Sequence, residues 1–381
     1  MSLSLYCKPT NTDHLLQVPD FQALLFLIDD VIVKPPRIES IIIDGDEVTE
    51  VVVAFIGLFF DLLSNTSAGY DLFRKAGFNE AMKALLDAWS TYLADPNGDS
   101  NSSLTDKEYG WFSEPVLQAL ESNGRGTFNQ TYVCPDPDAV NRGYATFDAF
   151  FARDVQPDAR PVLAPDDKSL IHSACESYVY RIATNVKEHD RFWLKGQSYS
   201  LYDMLDRDEE YANKFIGGTV YQAFLSPLDY HRWNAPVDGV IVKTAIVPGT
   251  YYAVLPDDGA DKHDPDQDPG SRYGAIVRSQ SWLTMSSTRA LIFIEADNPD
   301  IGLMCFIAVG MWEVSSCEIT VSEGDRVAAG DGLGTFHIGG STHALIFGPG
   351  TPITFADNIK PENHILVKSI IAQVTKAEIA K

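Results

Sequence analysis

Near residue 170 the chain changes period, and that change constrains its fold more than any other feature. Before it, apolar residues recur at helical spacing. In FNEAMKALLDAWSTYL (78–93), Phe78, Met82, Leu85, Leu86, Trp89 and Leu93 share one face. This predicts a helix, with Asn79 as a candidate cap and Asp95-Pro96-Asn97-Gly98 as its end. After the change come short β-rich runs broken by Gly, Pro, Asp and Asn: GVIVKTAIV (239–247), ALIFIEAD (290–297) and LMCFIAVGMWEV (303–314). An α+β chain follows, with a mainly helical region over 1–140 and a β-rich region over 141–381. The boundary falls in PDPDAVNRGY, residues 135–144.

Two polar stretches read as loops, DPNGDSNSSLTDKE (95–108) and the acidic LPDDGADKHDPDQDPGSRYG (255–274). The second is rich in carboxylates but lacks the ordered ligand spacing of a calcium loop. The β-rich half also contains an echo. APVDGVIVKTAIVPGTYY (235–252) and VSEGDRVAAGDGLGTFHIGG (321–340) share the glycine-and-turn grammar of biotinyl/lipoyl-like β-sandwiches. A small barrel-like fold built partly from such hairpins is expected, and fold alone does not give function.

With 381 residues, 45% of them hydrophobic, the chain can bury a sizeable core. Its 53 acidic residues outnumber 29 basic ones, a formal charge of −24, which argues against a nucleic-acid partner and against docking on an anionic bilayer. Five scattered cysteines without CxxC spacing suggest neither a zinc site nor a disulfide framework, so a reducing compartment is the simpler inference. The first residues, MSLSLYCKPTNTDHLL, do not read as a signal peptide. The longest apolar run, VVVAFIGLFF (51–60), is far short of the roughly 20 residues that span a bilayer. A cytoplasmic protein is expected, and nothing in the sequence specifies an oligomeric state.

The chemistry is concentrated in FHIGGSTHAL, residues 336–345. A serine hydroxyl can attack the carbonyl of the residue before it and turn that amide into an ester. Gly340, lacking a Cβ, lets the backbone bend into the required geometry. A base must take the hydroxyl proton, and donors must hold the developing oxyanion. If the α-proton of Ser341 is then removed, the ester breaks by elimination. The new terminus becomes dehydroalanine, which hydrolyses to a pyruvoyl ketone. Such a ketone takes up a substrate amine and accepts electrons during loss of CO₂, the role otherwise filled by pyridoxal phosphate. No lysine sits in a recognisable pyridoxal-phosphate motif, so none of that cofactor is expected.

Three further segments stand in order before this one. They are FFARDVQPDARPV (150–162), IHSACESYVY (171–180) and FLSPLDYHRWNAPVDGVI (224–241). The set Phe150-Phe151-Ala152-Arg153, Arg160-Pro161, Glu176, Asp229-Tyr230-His231-Arg232 and Gly340-Ser341-Thr342 resembles the phosphatidylserine decarboxylases, self-cleaving proenzymes with a pyruvoyl group. The resemblance covers roughly residues 140–381. Details such as SACES, YHRW, PGTYYA, FIEADN and FHIGGS are closer to the branch that contains the L-tryptophan decarboxylase of psilocybin-forming mushrooms. The resemblance implies cleavage between 340 and 341, a pyruvoyl group from Ser341, Glu176 as the acid that orients or assists the base, and His231 in substrate chemistry. It implies a small-molecule substrate, a free aromatic amino acid with L-tryptophan favoured.

Two residues depart from the family pattern. Glu176 stands where most members carry aspartate, as in the tryptophan branch. Asn234 stands where the family reads the second histidine of His-x-x-His, the base for self-cleavage, and an amide cannot accept and return a proton near neutral pH. His337 and His343 flank the cleavage site as possible substitutes. Two alternatives stay open: a true phosphatidylserine decarboxylase making phosphatidylethanolamine, and a family member that stays uncleaved because of Asn234.

Overall fold

A computed structural model describes residues 20–43, 46–54, 56–189, 199–257, 275–313 and 316–375. Cys7 and most of the acidic 255–274 loop lie outside them. The N-terminal region carries helices α1 (Phe21–Val31), α2 (Gly57–Ser64), α3 (Ser67–Phe73), α4 (Ala76–Ala94) and α5 (Glu114–Leu120). It is not all helical. Strands β1 (Arg37–Ile43) and β2 (Asp46–Ala54) pair as an antiparallel hairpin, because β-branched residues alternate with polar ones there.

Helix α4 buries Met82, Leu86, Trp89 and Leu93, the face expected from the sequence. Asn79 does not cap it. The cap position is Lys75, and the Asn79 amide donates to the Phe73 and Lys75 carbonyls while its oxygen accepts the Tyr251 amide. Asn79 thus ties the helix to the β-rich half. Two short helices, α6 (Phe128–Thr131) and α7 (Phe147–Phe151), complete the part that bears on the site.

The β-rich half begins with β3 (Leu170–His172), β4 (Ser177–Thr184), β5 (Thr219–Leu225), β6 (Arg232–Asn234) and β7 (Gly239–Val247). It continues through β8 (Arg289–Ala296), β9 (Leu303–Met311), β10 (Cys317–Ile319), β11 (Arg326–Val327) and β12 (Gly332–Phe336). It ends with β13 (Gly340–Phe347), β14 (Ile353–Phe355), β15 (His364–Ile365) and β16 (Ile370–Val374). An eight-stranded antiparallel sheet runs β11-β7-β8-β9-β13-β5-β4-β15. Two three-stranded sheets, β10-β12-β6 and β14-β16-β3, accompany it. The order is open at β11 and β15, so these strands do not close into a barrel. The two echoing segments do meet: Arg326 pairs with Val240 and Val327 with Gly239.

The central strands β5, β8 and β9 are buried on both faces, which is why β9 reads as one apolar run rather than an alternation. Cys305, Ile307, Val309, Ala344 and Ile346 face a core shared with the N-terminal helices. Met304, Phe306, Ala308, Leu345, Phe347, Tyr221, Ala223 and Leu225 face a second core with Trp233 and Phe336 of the small sheets. Cys134, Cys175, Cys305 and Cys317 are free.

Candidate active site

Ser341 is the second residue of β13, at the centre of the large sheet. It pairs with Leu225 of β5 on one side and Gly310 of β9 on the other. Before it, Gly339 has φ +122°, a conformation that favours glycine and sets the entry into the strand. Ser341, Thr342 and His343 are fully buried. Side chains alternate along a strand, so Ser341 and His343 share the face of Leu345 and Phe347, while Thr342 points to the helical side. Thr342 is fixed there: its hydroxyl donates to the Ala223 carbonyl at 2.9 Å and accepts from Gln222 at 3.1 Å.

The Ser341 hydroxyl, by contrast, has no hydrogen-bond partner, nor has either ring nitrogen of His343. The Trp233 indole N–H and Oδ1 of Asn234 are unpartnered as well. Buried polar groups are normally satisfied, because leaving one bare costs about 1–3 kcal/mol. Ser341 carries its bare hydroxyl at the Gly340–Ser341 bond, and the face of β13 that holds it together with His343 is the candidate reaction chamber. Burial pushes both His231 and His343 down to about 3, with Arg153 adding to the shift at His231. Both rings are therefore neutral at physiological pH.

The sequence segments converge around the Ser226–His231 turn that joins β5 to β6. Phe151 of α7 stacks on the His231 ring with 3.9 Å between centroids. Arg153 donates to the Leu228 and Asp229 carbonyls at 2.8 and 3.1 Å. Arg160 donates to both oxygens of Glu176 at 2.9 and 3.3 Å, and Arg125 stands 3.7 Å from the same carboxylate. Asp229 accepts from Arg125, from the Ser226 amide at 2.7 Å and from His364 at 2.8 Å. Burial alone would raise the Asp229 carboxyl, but Arg125 and His364 overcome it and hold the group well below the usual range.

Glu176 therefore faces arginines, and no hydrogen bond joins it to His231, Asn234 or Ser341. Thr342 and Tyr178 are each one strand from Phe224, so about 10 Å separates them across the sheet. Ser341 and Glu176 sit one and two residues along from that row. Asn234 ends β6; its amide donates to the Gly330 carbonyl at 2.9 Å and its backbone N–H to that of Ala174. His337 lies outside the chamber. Its ring bridges Asp148 at 2.9 Å and Glu318 at 3.0 Å, and the Asp148 hydrogen bond raises it to about 9. Sequence reasoning missed Arg125 and His364. They meet Asp229 from 104 residues before it and 135 after it, and no local pattern signals such contacts.

A bare, buried serine hydroxyl directly after Gly340, at the centre of the large sheet, makes this bond the candidate reactive centre. A phosphatidylserine decarboxylase model matches residues 147–373, and a second phosphatidylserine decarboxylase model matches residues 4–120. The chain belongs to this family, a family of carboxy-lyases that use a pyruvoyl group.

Within it the relatives are unequal. Decarboxylase iboD of Amanita muscaria (strain Koide BX008) is 58% identical over 352 residues, 92% of this chain and all of the relative. The L-tryptophan decarboxylase of Psilocybe cyanescens is 38% identical over 323 residues, 82% of this chain and 72% of the relative. Phosphatidylserine decarboxylase proenzyme 3 of Schizosaccharomyces pombe is 30% identical over 229 residues, 59% of this chain and 21% of the relative. The chain thus stands with the fungal decarboxylases of the tryptophan branch.

Proposed function

We propose that this chain is a proenzyme that cleaves its own Gly340–Ser341 bond, and that the processed enzyme decarboxylates a free aromatic amino acid, L-tryptophan first among them. The observation that carries the reading is the buried, unpartnered Ser341 hydroxyl at the start of β13. In the cleavage, the Ser341 oxygen bonds to the Gly340 carbonyl carbon as the C–N bond breaks, and the hydroxyl proton passes through a base to the freed nitrogen. Loss of the Ser341 α-proton then breaks the Cβ–O bond and releases Gly340 as a carboxylate. Water completes the change with loss of ammonia.

The pyruvoyl group would be the electron sink for CO₂ release, and the residues present fit it. β13 is hydrogen-bonded on both edges, to β5 and β9, so the cleaved strand stays in the sheet and holds its new terminus at the chamber. His231, neutral and packed on Phe151, is placed to hold or pass a proton during turnover. Glu176 and Asp229, locked by Arg125, Arg160 and His364, set the turn that carries His231. The division near residue 140 would separate the helical region from the catalytic one, although a core contributed by both joins them.

The choice of a free amino acid rests on the L-tryptophan decarboxylases among the relatives. Among the described residues no helix is long and apolar enough to cross a membrane, and with the acidic charge we place the enzyme in the cytoplasm, without a nucleic-acid partner. A second reading, an uncleaved family member, is favoured by Asn234, whose amide cannot serve as the base. One experiment separates them. Purified protein is resolved on a denaturing gel with intact mass, then assayed for CO₂ from free L-tryptophan, other aromatic amino acids and phosphatidylserine vesicles. Fragments 1–340 and 341–381 with turnover of the free amino acid are expected. Turnover of vesicles alone would overturn the substrate assignment, and one inert full-length band would establish the second reading.

A further inference from the structure

We propose that His343 is the base that opens the Gly340–Ser341 bond in this chain, in the role that Asn234 cannot fill. The inference rests on the self-cleavage proposed above and names the group that performs it.

The other described histidines are engaged, remote or differently placed. His337 is bridged by two carboxylates and protonated at neutral pH. His364 is bonded at both nitrogens, to Asp229 and to the Asn123 carbonyl. His172 contacts the Leu163 carbonyl. His189 is exposed beside Glu188. His343 keeps both nitrogens free in a fully buried setting. His231 precedes β6, where its carbonyl accepts the Phe336 amide and its ring is held flat against Phe151. His343 shares both the strand and the face of Ser341.

Two residues of strand separate the Cα atoms of Ser341 and His343, about 7 Å, a gap that an imidazole can bridge to a serine hydroxyl. In the uncleaved chain the His343 ring leans the other way. Its ring neighbours are Phe306 at 6.1 Å and Tyr221 at 5.9 Å, and both stand opposite Leu345 in the register. Turning χ1 to another staggered position swings it towards Ser341. The path is open on the β9 side, where Ala308 stands opposite His343 and Gly310 opposite Ser341; on the β5 side Ala223 stands opposite His343 and Leu225 opposite Ser341. His343 then takes the Ser341 hydroxyl proton as the oxygen bonds to the Gly340 carbonyl carbon. It returns the proton to the Ser341 nitrogen as the C–N bond breaks, so the buried ring is charged only in passing. Burial disfavours the imidazolium, which drives that return.

The test compares four full-length proteins: the unaltered chain, His343→Gln, Asn234→His and the double variant, each checked for folding by circular dichroism and followed as the full-length band over time. If His343→Gln does not fold, His343→Phe, suited to the rings around it, replaces it. The unaltered chain should cleave and His343→Gln should cleave about 10²–10⁴ times more slowly, the usual worth of a positioned base. The double variant should recover, because the family's histidine is back. A folded His343→Gln that cleaves at the original rate overturns the assignment and leaves self-cleavage standing. So does an unaltered chain that stays whole while Asn234→His cleaves. Slow His343→Gln that the double variant does not restore also overturns it, since His343 is then structural. If neither the unaltered chain nor Asn234→His cleaves, the proposed function itself fails.

Discussion

Arg160 holds Glu176 by two hydrogen bonds, Nε at 2.9 Å and Nη2 at 3.3 Å, and both side chains are buried. Arg125 stands beside the same carboxylate but is hydrogen-bonded to Asp229, so it is the Arg160 guanidinium that depends on Glu176 for charge compensation. Removing one partner of a buried pair costs about 3–5 kcal/mol, because the other charge is left bare. Glu176→Ala should therefore lower stability by roughly that amount in urea unfolding. Glu176→Asp, which keeps the charge on a shorter arm, should lose less. An Ala variant as stable as the parent would give Arg160 another partner and remove Glu176 from the frame of the site.

The Ser341 hydroxyl is bare in the interior, so its removal takes away a reaction but no hydrogen bond. Ser341→Ala should remain a single full-length band, release no CO₂ from any amino acid, and keep or slightly gain stability, since an unsatisfied buried group costs about 1–3 kcal/mol. In the unaltered enzyme, phenylhydrazine or borohydride should abolish activity without added pyridoxal phosphate and label the fragment that begins at 341. Cleavage in Ser341→Ala, or a label on a lysine, would contradict the assignment of the site.

Local order was legible wherever punctuation bounded it. GVIVKTAIV matches β7 end to end because Asp238-Gly239 and Pro248-Gly249 mark its limits. The β1–β2 hairpin shows what a helical reading overlooks: two β-branched runs meeting at Asp44-Gly45 carry a hairpin signal inside an otherwise helical region. The site divides in the same way. Gly340-Ser341 and Asp229-Tyr230-His231 are short motifs and could be read directly. That Glu176 answers to Arg160 and Arg125 rather than to an imidazole could not, because the contacts depend on how three distant segments pack. Nor could the opposite states of two nearby histidines be foreseen, since His343 is neutral through burial and His337 is protonated through Asp148.

Glu313 is a third buried acid, after Glu176 and Asp229. It lies two residues beyond Met311, the partner of Gly340, beside Tyr252. One oxygen accepts the Gly57 amide, and the carboxyl group lies against the Tyr252 hydroxyl. Burial raises its carboxyl to about 8. Between the ordinary carboxylate range and pH 8 the folded state holds a proton that the unfolded chain has lost, so this group makes stability fall as pH rises through that window. Glu313→Gln should be more stable than the parent at pH 8 and show a flatter dependence between pH 5 and 8, as read by thermal melts. Equal slopes for the two proteins would show that Glu313 titrates normally.

His337 works in the opposite sense. Asp148 on α7 and Glu318 on β10 both bond its ring, and the folded-state value near 9 lies above the ordinary imidazole value of 6.5. A raised basic group contributes stability that is complete below about pH 6.5 and is lost as pH climbs through 9. The ring joins α7, which carries Phe151 against His231, to a strand paired with β12, so its loss should loosen the wall of the chamber. Glu318 is more than half exposed, and that arm of the bridge is screened by solvent, which leaves Asp148 as the dominant partner. His337→Gln should melt lower than the parent at pH 6 and converge with it by about pH 10, while 1 M salt should narrow the gap only in part. Parallel melting curves across that range would mean that the imidazole is neutral in the folded protein and that the bridge carries no charge.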